Sequence, residues 1–198
     1  VVRELQAEFS NLNLLHRKSK KGFGRSYIEG LKKILADGRY EYIVMMDADL
    51  SHDPKEINDM LAKLPDYDVI NGSRYVKGGG IKNWKWHRRV LSRFANFYAG
   101  KILGTKISDM TTGFLCLKKD TLKKINLDSI HSDGYAFLVE LKFRLLKAGA
   151  KFCEHPIIYT ERREGGSKMS YKVIWESVWL PWRLKFLSKN PPKGGISA

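Results

Sequence analysis

The segment Tyr42-Ile43-Val44-Met45-Met46 constrains this chain more than any other, because it is a continuous apolar run of strand length that stops abruptly at Asp47-Ala48-Asp49. Such a run, with β-branched residues, predicts a strand covered on both faces in a parallel sheet. The two carboxylates then fall at the strand's C-terminal end, where open α/β sheets place their ligands. Downstream, Asp53-Pro54-Lys55-Glu56 combines a capping residue, a proline at the first helical position and a glutamate three residues after the cap, so a helix starts there. Ile57, Met60, Leu61 and Leu64 give it one buried stripe, and Tyr67 to Asn71 reads as the next strand. Helix and strand in alternation argue an α/β layered fold.

The remaining elements follow from spacing. Ile28, Leu31, Ile34 and Leu35 recur at helical intervals before Gly38. The opening stretch reads as the end of a helix followed by a short strand, and Val1 in place of Met predicts further sequence upstream. Trp84 to Leu103 predicts a basic helix carrying Val90, Phe94, Phe97 and Ile102, with Gly104 after it. Asp109 to Phe114 reads as a turn entering a strand, Gly134 to Leu146 as a helix, and Lys151 to Tyr159 as a strand. The expected organisation is a catalytic domain over 1–170 and an amphipathic tail over 171–198.

With 198 residues, 43% of them hydrophobic, the chain can bury one core. Its 36 Lys and Arg against 21 Asp and Glu give a net charge of +15, which favours an anionic partner: nucleic acid, an anionic lipid surface or a phosphorylated substrate. A solvated basic surface explains the charge as well. No RNA- or DNA-binding motif is recognisable, which argues against nucleic acid. Cys116 and Cys153 stand alone, without CxxC or Cys/His spacing, which fits a reducing compartment and neither a disulfide framework nor a structural zinc site. His52, His87 and His155 belong to no HxxxH or HxH pattern and take no role. No run of about 18 apolar residues exists, so a membrane position would be peripheral. Trp175, Trp179 and Trp182, interleaved with Lys172, Arg183, Lys185 and Lys189, suit a membrane interface. A core-packing or subunit-docking helix broken at Pro181 is the competing reading.

Asp47 and Asp49 can converge on one hard cation, Mg²⁺ or Mn²⁺, and on a diphosphate that it bridges. The plainer alternative is a solvated loop in which Asp49 or Asp53 caps a helix. Arg88 and Ser92, at i and i+4, project from one helix face and could hold a phosphate that Arg74 also reaches. Lys82, Lys85, Arg88, Arg89 and Arg93 could equally form a solvated basic face. Arg162 and Lys168 flank Gly165-Gly166 in a loop that could close over a diphosphate.

Taken in order, VMMDADLSHDP, INGSRYVKGGGIKNW, HRRVLSRFANFYAG, SDMTTGF, GYAFLVEL and YTERREGGSKMS resemble the polyprenyl-phosphate (dolichol-phosphate) mannose synthase group of family 2 glycosyltransferases, from about Leu15 to Met169. The resemblance implies a GT-A fold, Rossmann-like, with a mostly parallel central sheet. It further implies metal-dependent inverting transfer of mannose from GDP-mannose to a polyprenyl phosphate, with a UDP-sugar donor as the alternative. By the same resemblance Asp47 and Ala48 contact the donor and Asp49 holds the metal, joined by Ser51 where relatives often carry Gln. Arg162 and Lys168 hold the donor diphosphate, and Arg74, Arg88 and Ser92 grip the acceptor phosphate. That phosphate is already anionic, so no proton-abstracting residue is implied. Two departures stand out: the family's N-terminal strand, with its Pro-x-Tyr-Asn-Glu-like nucleotide pocket, is absent, and Leu115 replaces an Arg that many relatives carry. The chain resembles the peripheral members, which use an amphipathic tail or a small membrane-anchoring subunit at the cytoplasmic face of a membrane.

Overall fold

The computed structural model describes residues 2–17, 19, 22–161, 171–187 and 196–197. Its strands are β1 (Tyr42–Met45), β2 (Val69–Ser73), β3 (Gly80–Lys82), β4 (Leu115–Lys118), β5 (Phe152–Pro156), β6 (Ile158–Thr160) and β7 (Ile196–Ser197). The α-helices are α1 (Val2–Glu8), α2 (Phe23–Ala36), α3 (Glu56–Leu61), α4 (Trp86–Leu103), α5 (Lys119–Lys123), α6 (Gly134–Lys147) and α7 (Tyr171–Leu187). The main sheet has the order β1-β4-β2-β5-β7, and β3 pairs with β6 in a separate ribbon.

β4 is antiparallel to both β1 and β2, whereas β2–β5 and β5–β7 are parallel. Four strands therefore share one direction and the inserted β4 opposes them, so the hydrogen-bonded pairing is mixed although the strand directions are mostly parallel. This reversal organises the site. With Met45 and Asn71 both registered against Leu115, the turn that enters β4 lies beside the C-terminal ends of β1 and β2.

Alternation along the strands separates two apolar layers. Val69, Leu115, Leu117 and Phe152 face α2, α6 and α7, while Ile70, Phe114, Cys116 and Cys153 face Met60 and Leu64 on the α3 side. β1 departs from the two-sided burial that its sequence predicts. Ile43 and Met45 are buried, but Tyr42 and Val44 are exposed, since β4 is its strand partner among the described residues and the six-residue α3 covers little of its other face. The stretch expected as one strand over 151–159 is two, parted where the Ile157 N–H donates to the Ser73 carbonyl. Among the described residues no strand follows α1 before α2, and the helix expected from Asp53 begins as a turn there, with Glu56 N–H donating to the Asp53 carbonyl. Gly104 ends α4 in the left-handed region at φ 66°, where a residue without Cβ is unstrained.

The segment expected as a tail contributes to the main core. α7 packs on α4 and α6, and Leu180 and Leu184 are buried with the sheet residues. Trp175 and Trp179 on the same helix are exposed. Among the described residues no helix is long and apolar enough to cross a membrane. Leu184→Ala is expected to lower unfolding free energy by about 2–4 kcal/mol, as for a buried leucine. Trp179→Ala should change it by less than about 0.5 kcal/mol. Urea titration followed by circular dichroism measures both, and equal effects would contradict the packing of α7.

Candidate active site

Asp47 follows β1 by one residue beyond Met46, Arg74 follows β2, and Thr111 to Gly113 precede β4; the sheet topology brings all of them to one pocket. The pocket has a volume of about 490 Å³ and includes Asp47, Ala48, Asp49, Trp84, Arg88 and Glu161 in its wall. Three contacts set the carboxylates. Asp47 N–H donates to His52 Nδ1 at 3.2 Å, and the Tyr27 hydroxyl donates to Asp47 Oδ1 at 3.1 Å. Leu50 takes φ 64°, so the chain folds back and both the N–H and the hydroxyl of Ser51 donate to Asp49 Oδ1. A non-glycine residue in the left-handed region is strained, and here the strain sits in the turn that presents the acidic pair.

His52, to which the sequence pattern assigned nothing, is buried and stacked on Phe114 at 5.0 Å between ring centres. Burial lowers its pKa against the opposing pull of Asp47 and Asp49. A neutral ring with an unprotonated Nδ1 fits its acceptance of the Asp47 amide. Burial also raises the Tyr27 pKa, reinforced by Asp47, so its hydroxyl stays a donor.

The basic residues are gathered but engaged. Arg74 Nε and Nη2 lie 2.6 and 2.7 Å from the two oxygens of Asp109, and Nη2 also donates to Thr111 at 2.8 Å. Arg88 pairs with Glu161 and lies 4.0 Å over the Trp84 ring centre, while Ser92 Oγ accepts from the Tyr75 hydroxyl at 2.7 Å. Arg74, Arg88 and Ser92 together border a second, apolar groove of about 230 Å³ between α4, α6 and α7. Arg74, Trp84, Arg88, Thr111 and Tyr135 belong to both walls, so the carboxylate pocket and the apolar groove adjoin. The buried Trp84 indole N–H has no hydrogen-bond partner among the described residues. Arg162 and Lys168 lie outside the described residues.

Ser51, expected beside Asp49 at the metal, is buried and donates its hydroxyl to Asp49. Among the described residues no group of three or more His, Cys, Asp or Glu side chains is arranged to hold a metal. Two carboxylates still fit a hard cation of the Mg²⁺ class, which is commonly held by one or two protein carboxylates with substrate phosphates completing its shell.

Beneath the pocket lies a charge cluster that residue spacing did not reveal. Lys142, on α6 and fully buried, donates to the carbonyls of Asp109 and Thr112, both at 2.9 Å. Glu154 accepts from the backbone N–H groups of Ser108 and Asp109. Burial pushes the Asp109 pKa up, but Arg74 and then Lys142 outweigh it and hold the carboxyl below its ordinary range. Burial pulls Lys142 down to about 7, against Asp109 and Glu154. A lysine in this helical pattern reads as a solvated charge, and the SDMTTGF turn offered only Asp109 as a hint.

The Lys142 shift has a signed consequence. Between pH about 7 and its ordinary value of 10.5 the unfolded chain holds a proton that the folded protein has released. Lys142 therefore adds stability as pH rises through that window. In Lys142→Met this rise should shrink by roughly a few kcal/mol, whatever the variant's absolute stability. Urea unfolding at a series of pH values checks it, and parallel curves for the two proteins would refute the assignment.

Comparison with known proteins identifies the family. Residues 1–125 match the model of the family described as "Glycosyl transferase family 2". The polyprenol monophosphomannose synthase of Mycolicibacterium smegmatis is 40% identical over 174 residues, covering 87% of this chain and 65% of that protein. The undecaprenyl-phosphate mannosyltransferase of Micrococcus luteus is 39% identical over 172 residues, covering 87% of this chain and 70% of its own. The chain thus spans about two thirds of these relatives' length. The fold is also similar to glucosyl-3-phosphoglycerate synthase from Mycobacterium tuberculosis, solved with Mn²⁺, UDP-glucose and phosphoglyceric acid. The TM-score there is 0.54 at 13% identity, over 84% of this chain and 57% of that one. A mycobacterial protein of known structure gives 0.57 at 13% identity, over 91% and 60%. Those likenesses establish a GT-A-like fold, and with the family match over more than half of its length this chain belongs to glycosyl transferase family 2.

Proposed function

We propose that the protein transfers mannose from GDP-mannose to a polyprenyl phosphate, with inversion, as a peripheral protein on the cytoplasmic face of a membrane. The observation that carries this reading is the junction of the carboxylate pocket with an apolar groove across Arg74, Trp84 and Arg88. A substrate with an anionic head and a hydrocarbon tail matches that junction: the groove takes the tail, and the cations face the phosphate. The names of the two mannosyl-transferring relatives support the same reading.

In this proposal Asp47 and Asp49 bind the donor, Asp47 oriented by Tyr27 and His52 and Asp49 by Ser51. A bound Mg²⁺ or Mn²⁺ would neutralise charge on the departing diphosphate. Arg88, paired with Glu161 through one N–H, keeps further N–H donors for the acceptor phosphate. Arg74, already bound to Asp109, contributes positive potential and fixes Thr111. An acceptor oxygen bonds the anomeric carbon as the bond from that carbon to the diphosphate breaks, releasing GDP. The acceptor is anionic beforehand, so positioning replaces proton abstraction.

Radiolabelled GDP-mannose and UDP-glucose, each incubated with polyprenyl phosphate and Mg²⁺, test donor and acceptor together. Label from GDP-mannose should enter the organic phase. Label from UDP-glucose alone would change the sugar, and none from either would remove the reading. Asp49→Ala should reduce transfer by about 10²–10³-fold or more with an unchanged circular dichroism spectrum. Near-normal turnover would overturn the role of that carboxylate.

A further inference from the structure

The two guanidinium groups at the junction of the pockets are held to different degrees. Arg74 gives Nε and Nη2 to Asp109, and the side chains of that pair are 6% and 0% exposed. Arg88 donates through Nη1 to Glu161 Oε1, and the side chains of this pair are 28% and 37% exposed. Below the Arg88 guanidinium lies the Trp84 ring, which Tyr159 holds in an edge contact at 5.4 Å between ring centres. Glu161 directly follows β6. The Thr160 N–H donates to the Ser51 carbonyl, and the Glu161 N–H donates to the Lys82 carbonyl. The backbone that delivers the Glu161 carboxylate is thus anchored, while the side chain reaches water and can turn away.

We propose that Glu161 is a stand-in anion: its carboxylate neutralises Arg88 in the empty site and gives way to the phosphate of the acceptor. This rests on the acceptor class proposed above. Arg88 has five N–H donors, so a phosphate can make its first contact on those that Glu161 leaves open. At neutral pH a phosphomonoester carries nearly two negative charges, and it would then lie one guanidinium's width from the carboxylate. Like charges at that separation repel by more than a partly exposed ion pair gains, so the repulsion decides the outcome and the carboxylate leaves. Glu161 therefore opposes acceptor binding, although it contacts the residue that binds the acceptor. The contact has two consequences. It keeps a cation paired at the edge of an apolar groove when no ligand is there. It also weakens every anion that needs Arg88 by a common factor, which a ligand with hydrocarbon in the adjoining groove can offset and a small anion cannot.

Calorimetric titration in the absence of any sugar donor tests the contact apart from transfer. The probes are inorganic phosphate and geranyl phosphate, a soluble phosphomonoester with a short prenyl chain. The proteins are the wild type, Glu161→Gln, Arg88→Gln and the double variant. Glu161→Gln should bind both probes roughly three- to tenfold more tightly than wild type, by the same factor for each. Arg88→Gln should weaken geranyl phosphate by about tenfold or more, and in that background Glu161→Gln should gain less than about twofold. Binding by Glu161→Gln that equals or falls below wild type would show that the carboxylate positions Arg88 and would overturn the proposal. An equal gain in the Arg88→Gln background would reduce Glu161 to a general field and overturn it as well, as would a failure of every protein to bind either probe. If the gain appears but neither GDP-mannose nor UDP-glucose supports transfer, the stand-in contact holds and the mannosyl-transfer reading alone is removed.

Discussion

The buried pair of Arg74 and Asp109 is the contact on which the site depends. Removing two charges from water is costly unless each is fully hydrogen-bonded, and here the terms are met from several elements. Asp109 accepts from the Arg74 side chain and backbone, and Arg74 also reaches Thr111. Lys142 and Glu154 secure the carbonyl and amide groups of the same turn from α6 and β5. The turn into β4 is thus held by β2, β5 and α6 at once. The reversed strand brings that turn to the working end of the sheet, and the charge cluster keeps it there.

This arrangement explains why some of the molecule was readable and some was not. The place of Asp47 and Asp49 in the pocket was legible because the apolar run ends at them and open α/β sheets gather their pockets at strand C-terminal ends, although the same run is half exposed at the edge of the sheet. The helix over Ile28 to Leu35 was legible from its period. Pairing directions were not: nothing local to Leu115–Lys118 records that it runs against its neighbours. Lys142 was invisible for a related reason. Its burial follows from carbonyls more than 29 residues away in sequence, at Asp109 and Thr112. His52 was passed over because histidine patterns signal metal ligation, while its contact here is to a backbone amide.

The basic residues of α4 illustrate how a pattern can be correct and incomplete. Arg88 and Ser92 do lie on one face beside Arg74, as the spacing suggested, yet each meets a protein partner contributed from elsewhere: Glu161, Tyr75 and Asp109. A cation with no partner at the edge of a low-dielectric groove would be unfavourable, so partial pairing is the condition under which such groups persist there. Arg88 remains the most adaptable of the three, because Arg74 is bound twice by Asp109 and is almost without exposure.

Aromatic faces allow that boundary between charge and hydrocarbon to exist. Trp84 lies under Arg88 at 4.0 Å and under Arg74 at 5.5 Å, and Tyr159 and Tyr75 also approach Arg74. A guanidinium over an aromatic ring is stabilised by the ring's quadrupole while presenting its edge N–H groups sideways. Trp84 can therefore border the apolar groove with its ring and the polar pocket with the cations that it supports. An aliphatic residue at that position would leave two arginines facing hydrocarbon, and a polar one would admit water to the groove. The large planar side chain satisfies both sides of the junction at once, which is why the carboxylate pocket and the apolar groove can share a wall.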